Sequence, residues 1–179
     1  MIDRRLFLQV SGLSLVAPRA FAAAELDLET PFASIDGGDI RLSDWAGRPI
    51  MVVNTASLCA FTDQYAGLQA LYDRYRDQGL IVLAVPSDDF NQELGSNDEV
   101  KDFCEVVFGL DLPMTEITPV RGRKAHPFYR SLAQSAGFTP RWNFNKVLLD
   151  GTGDLVETFD SRIDPMSPQV LRQIEALLR

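Results

Sequence analysis

Two short, almost wholly apolar runs, Ile50 to Asn54 and Leu80 to Val85, bracket a segment whose apolar residues recur at helical spacing. That pattern leaves few folds open. A strand covered on both faces reads as a continuous apolar run, because neither face meets water. Between the two runs, Tyr65, Leu68, Leu71, Tyr72 and Tyr75 share one side of a helix, Thr62 is placed to cap its start, and Gly79 follows its end. Strand, helix and strand form a βαβ unit, whose right-handed crossover makes the strands parallel and lays the helix on one face of the sheet. Both strands are expected to be central.

The flanking sequence extends this unit. Phe32 to Ile35 and Ile40 to Leu42, joined by Asp36-Gly37-Gly38, read as a small N-terminal β-hairpin. Helices are expected from about Asn97 to Phe108, Pro127 to Ala136 and Pro168 to Leu178. A second hairpin pairs Asn145–Leu149 with Leu155–Phe159 around Asp150-Gly151-Thr152-Gly153. The sum is an α/β fold with a mixed central sheet and helices on both faces. With no repeat or interdomain linker, residues 24–179 read as a single domain, long enough to bury about two-thirds of its unfolded surface.

Residues 1–23 differ from the rest. Asp3-Arg4-Arg5, an apolar stretch from Leu6 to Ala17 and the small residues around Ala20-Phe21-Ala22 form a three-part export signal. The stretch is too short for the roughly 20 residues that span a bilayer, so a cleaved leader is expected and no membrane span. The paired arginines resemble a twin-arginine signal, with Asp3 where Ser or Thr is usual, and imply a periplasmic destination. A packed amphipathic helix is the competing reading, weakened because Gln9, Ser11 and Ser14 do not separate from the apolar residues. Without residues 1–23 the chain has 14 basic against 24 acidic residues. A domain near −10 is repelled by phosphate backbones, so nucleic acid is not an expected partner.

The chain has two cysteines, Cys59 and Cys104, and one histidine, His126. With no Cys-x-x-Cys pair, neither a metal nor a cofactor is expected, and His126 in its HPFY setting reads as a helix start. By count alone, two cysteines in an exported chain favour a structural disulfide. Position favours redox chemistry, since Cys59 lies in the loop that enters the predicted helix. There, unpaired amide N–H groups and the positive helix end favour thiolate over thiol. Both readings stand on the residues alone.

The segment VVNTASLCAFTDQYAGLQALYDRYRDQGLIVLAVPSDDF resembles the peroxidatic-cysteine segment of glutathione peroxidases. The likeness continues through FNQELGS, VKDFCEVVFGLDLP, KAHPFYRSL and RWNFNKVLLDGTGDLV, covering nearly all of the chain after the leader. It implies a thioredoxin-like fold with Cys59 as the peroxidatic cysteine. Gln92, Trp142 and Asn143 match the family's polar partners, whose N–H groups can donate to a thiolate or to charge on a leaving oxygen. Cys104 matches the resolving position of members that form an internal disulfide, which implies local unwinding of its helix. The resemblance further implies hydroperoxide substrates, lipid hydroperoxides among them, and a thioredoxin-like protein or glutathione as reductant. The chain has no long insertion before Trp142, as tetrameric members have, so a monomer is expected. A non-catalytic peroxide sensor remains an alternative. So does a periplasmic thiol-disulfide oxidoreductase, although that chemistry wants a cysteine at position 62, which is Thr.

Overall fold

The computed structural model describes residues 25–179; the leader expected at residues 1–23 lies outside them. The element order is β1 (Phe32–Ala33), β2 (Asp39–Ile40), β3 (Ile50–Thr55), α1 (Gln64–Tyr75), β4 (Ile81–Pro86), α2 (Asn97–Phe108), α3 (Pro127–Ala136), β5 (Lys146–Leu149), β6 (Leu155–Phe159) and α4 (Pro168–Leu177). β1 and β2 form the expected hairpin, with Phe32 opposite Ile40. The main sheet runs β4-β3-β5-β6. β3 and β4 are parallel, while β5 pairs antiparallel with both β3 and β6.

The period-2 geometry of β3 sorts its side chains onto two cores. Met51 and Val53 pack with Tyr65 and Leu68 of α1, Val100 and Cys104 of α2, and Val170 and Ile174 of α4. Ile50 and Val52 pack on the other face with Phe128, Tyr129 and Leu132 of α3 and with Phe32 of the hairpin. Each such side chain stabilises the fold by about 1.5–3 kcal/mol. Three helices thus cover one face and one helix the other.

β4 is not central. It is the outermost strand, yet it is buried throughout. Its free edge is covered by residues 113–118, a strap rather than a strand. Ala84 N–H donates to Pro113 O and Thr115 N–H to Ala84 O, both at 3.0 Å, and Thr118 N–H donates to Pro86 O at 2.8 Å. A single bridge between Ser34 and Thr115 ties the strap to the hairpin.

Helix ends follow local chemistry. Ser96 Oγ accepts from Glu99 N–H to cap α2, which ends at Gly109 with φ of +63°, where a side chain would be strained. His126 caps α3: its Nδ1 accepts from Phe128 N–H at 3.3 Å, and Pro127 takes the first helical position. The other ring nitrogen lies 3.1 Å from Pro31 O, and the ring stacks on Phe32 at 3.6 Å. Burial holds its pKa below the usual histidine value.

Lys146 on β5 is fully buried. Its Nζ donates to Gln64 Oε1 and Ile163 O, each at 2.6 Å, and to Phe144 O at 2.9 Å. Burial pushes its pKa down to about 8. The ammonium joins the start of α1, the stretch after β6 and the segment entering β5, and α1 begins where the loop of Cys59 ends.

Candidate active site

Residues 56–63 carry the chain from β3 into α1. Cys59 N–H donates to Thr62 Oγ1 at 3.0 Å, and the Thr62 hydroxyl has Cys59 O at 2.7 Å and Ala56 O at 3.0 Å as acceptors. Thr62 therefore does not cap α1 as expected; it closes the Cys59 turn. Successive turn bonds, Thr62 N–H to Cys59 O, Gln64 N–H to Phe61 O and Tyr65 N–H to Thr62 O, wind the chain before α1 begins. Thr62 is already inside that winding, and Asp63 enters α1 with helical backbone angles and no side-chain cap. Cys59 stands at the head of the wound segment, where its Sγ accepts Phe61 N–H at 3.4 Å. Its residue exposure is 9%.

A second loop, between β4 and α2, holds this turn from the side. Leu58 N–H donates to Gln92 O at 2.9 Å, and Ser57 N–H donates to Glu93 Oε1 at 3.0 Å. Leu94 N–H also donates to that carboxylate oxygen. Glu93 is buried and was not among the residues that the sequence singled out. Burial raises its pKa, while the nearby Ser57 hydroxyl and the N–H groups of Leu94 and Ser57 oppose the shift. The available signal was its place between Phe90 and Leu94 in an otherwise polar loop, and an acidic loop residue ordinarily reads as solvated.

Asn143 and Gln92 meet: Asn143 Nδ2 donates to Gln92 Oε1 at 3.0 Å. Asn143 is fully buried, and its Oδ1 has no hydrogen-bond partner among the described residues. Each residue has a neighbour with left-handed backbone, Asn91 at φ of +54° and Phe144 at φ of +61°. For a bulky residue such as Phe this costs about 1–2 kcal/mol. The strain is held by packing and by the Phe144 N–H bond to Asn54 O at 2.6 Å. Trp142 packs against Phe90 at 5.3 Å and is 39% exposed, while Asn54 Nδ2 donates to its carbonyl. The hydrogen bond that Cys59 Sγ accepts among the described residues is the one from Phe61, while the side chains of Gln92 and Asn143 bond each other.

Cys104 lies on the inward side of α2, fully buried, and both cysteines are free thiols. Burial pushes the Cys104 thiol up to about 12, and the charges of Glu93 and Glu105 act in the same direction. The Tyr65 hydroxyl, buried without a well-formed hydrogen bond, faces this thiol.

The family model described as glutathione peroxidase matches residues 28–133. A glutathione peroxidase of Lactococcus lactis subsp. cremoris is 40% identical over 136 residues, covering 73% of this chain and 87% of the relative. A hydroperoxy fatty acid reductase of Synechocystis is 40% identical over 156 residues, covering 81% and 91%. Among solved structures, T. cruzi GPX1 superposes with a TM-score of 0.64 at 28% identity, covering 86% of this chain and 97% of that one. A thioredoxin-family thiol:disulfide interchange protein of Chlorobium tepidum superposes with a TM-score of 0.65 at 13% identity, covering 89% and 100%. The last likeness is one of fold, and the fold is thioredoxin-like.

Proposed function

The chain belongs to the glutathione peroxidase family and is a peroxidase, and from that premise we propose that Cys59 is the sulfur that attacks the peroxide. The observation that carries this reading is the setting of Cys59 Sγ. It accepts a backbone N–H at the head of a helical turn, in a loop pinned on both preceding amides by Gln92 and Glu93. The thiolate attacks one peroxide oxygen and the O–O bond breaks. The departing alkoxide takes a proton and leaves as alcohol, or as water from hydrogen peroxide, and Cys59 becomes a sulfenic acid. Gln92, Trp142 and Asn143 supply N–H donors for the charge that passes to the leaving oxygen.

Cys104 resolves the sulfenic acid. Its sulfur displaces hydroxide from Cys59, water leaves, and a disulfide forms that a thioredoxin-like dithiol protein reduces. Cys104 must come out of α2 for this, so that helix unwinds locally around Cys104 in the oxidised protein. The exposed side chains of Leu58 and Trp142 give the mouth of the site an apolar rim. Together with the name of the Synechocystis relative, that rim supports organic and lipid hydroperoxides as substrates. The enzyme works as a monomer exported to the periplasm. Among the described residues no helix is long and apolar enough to cross a membrane.

The test is peroxide turnover by the wild type, Cys59→Ser and Cys104→Ser, with thioredoxin and glutathione supplied separately. Cys59→Ser is expected to be inactive with both donors, and Cys104→Ser inactive with thioredoxin. Activity surviving Cys59→Ser would sink the mechanism, and thioredoxin-driven turnover surviving Cys104→Ser would remove the resolving step.

A further inference from the structure

Buried side-chain oxygens without a hydrogen-bond partner occur on Asn54 and Thr55 at the end of β3, on Ser57 in the Cys59 loop, and on Tyr65, Glu93 and Asn143. One of them belongs to an ionisable carboxyl group. Glu93 uses Oε1 for the N–H groups of Ser57 and Leu94 and leaves Oε2 free in the interior. The titratable groups facing it are Asp88 from its own loop, Tyr65 from α1 and Cys104 from α2, so its surroundings are acidic or neutral.

We propose that Glu93 is the proton acceptor for Cys104 when the oxidised Cys59 is resolved, and that it passes the proton to the departing hydroxide. The assignment rests on the two-cysteine reading above. In that step the S–H bond of Cys104 and the S–O bond of Cys59 break, while the S–S bond and one O–H bond of water form. The Cys59 sulfur is reduced, the Cys104 sulfur is oxidised, and the carboxylate ends as it began.

Magnitude explains the need for a base. Even when Cys104 has left α2, and with it the burial that raises its pKa, an ordinary thiol with a pKa of about 8.5 is ionised in only about 3% of molecules at pH 7. Other candidates are committed elsewhere. His126 caps α3 in the core across the sheet, and the Lys146 ammonium is surrounded by acceptors. Glu93 is bound to Ser57, two residues before Cys59, so it stays attached to the loop of the sulfenic acid wherever the opening of α2 brings Cys104. Desolvation, which raises its pKa, makes it a stronger base than an exposed carboxylate.

Glu93→Gln separates this role from loop support, because the amide oxygen can still accept from Ser57 and Leu94. Stopped-flow peroxide oxidation, with sulfenic acid trapped by a dimedone reagent and disulfide counted by mass, follows the two steps apart. Sulfenic acid is expected to accumulate, with disulfide formation slowed at least about 10-fold and its pH dependence flattened. Wild-type disulfide rates with the wild-type pH profile in Glu93→Gln would overturn the assignment. In the unaltered protein, the solvent deuterium isotope effect should be larger on disulfide formation than on sulfenic-acid formation, and the reverse order would also overturn it. A wild type that forms sulfenic acid but never the Cys59–Cys104 disulfide would overturn the two-cysteine reading and this assignment with it. A wild type that resolves normally beside an unaffected variant would remove Glu93 alone.

Discussion

Asn143 donates to Gln92 across 51 residues of chain, at 3.0 Å, and each of the two sits next to a residue with left-handed backbone. The bond orients both amides at once: with Gln92 Oε1 engaged, its NH₂ group is free to point elsewhere. The pair should act as one unit toward the reacting sulfur. Asn143→Ala and Gln92→Ala are each expected to lower the second-order rate constant with peroxide by about 10- to 100-fold. The double variant should lose much less than the product of the two. Stopped-flow fluorescence of Trp142 on peroxide mixing gives all three values; fully multiplicative losses would mean that the two amides work separately.

His126 is the chain's one histidine, so its titration can be read alone. Its Nδ1 accepts Phe128 N–H and must be unprotonated to do so. Burial depresses the folded pKa below the ordinary 6.5, so the proton prefers the unfolded chain. The stability it contributes is complete above pH 6.5 and is lost as pH falls through the depressed folded value. Imidazole proton NMR should show that lowered titration point, and acid destabilisation in urea should shrink in His126→Asn, which retains a capping side chain. Replacement by Ala is expected to cost about 1 kcal/mol.

Cys104 should be chemically silent in the reduced, folded enzyme. It is fully buried, with its thiol pushed up to about 12, whereas Cys59, 9% exposed, lies between the exposed Leu58 and Ala60. Native alkylation with iodoacetamide, followed by mass spectrometry, is expected to place one group on Cys59 at least about 100-fold faster than on Cys104. Denaturant should abolish the difference. Equal native labelling would mean that α2 opens before oxidation.

Lys146→Met should unfold the protein at distinctly lower urea. The methionine fits the volume but leaves Phe144 O, Ile163 O and Gln64 Oε1 without the ammonium that joins them. The expected loss is about 3 kcal/mol or more. Because α1 begins where the Cys59 loop ends, peroxide reactivity should fall too, and chemical denaturation beside stopped-flow kinetics measures both.

Helix bounds were legible wherever one residue decides them. α2 and α3 coincide with the expected ranges because Ser96, Gly109, Pro127 and Gly137 are local signals. The rank of β4 in the sheet was not legible. An edge strand covered by a strap carries the same apolar run as a central one. Thr62 was expected to cap α1 and instead closes the Cys59 turn, because which N–H its hydroxyl serves depends on how far the winding extends upstream. Gln92, Trp142 and Asn143 were named by resemblance, and the structure brings Gln92 and Asn143 into contact beside the Cys59 loop. Glu93 escaped notice because its partner is a backbone amide 36 residues away, and a main-chain N–H leaves no mark in a sequence.

The strap at residues 113–118 bears on safety as much as on architecture. Its hydrogen bonds to Ala84 and Pro86 are main-chain bonds beyond the C-terminal end of α2, and Ile117 N–H donates to Asn97 Oδ1 at the first residue of that helix, at 2.9 Å. A helix that loosens around Cys104 while Asn97 keeps that bond leaves the border of the sheet closed. Open borders recruit neighbouring chains and start aggregates. On the two-cysteine cycle proposed above, a catalyst that opens a helix at each turnover can then repeat the cycle without offering its strands to other molecules.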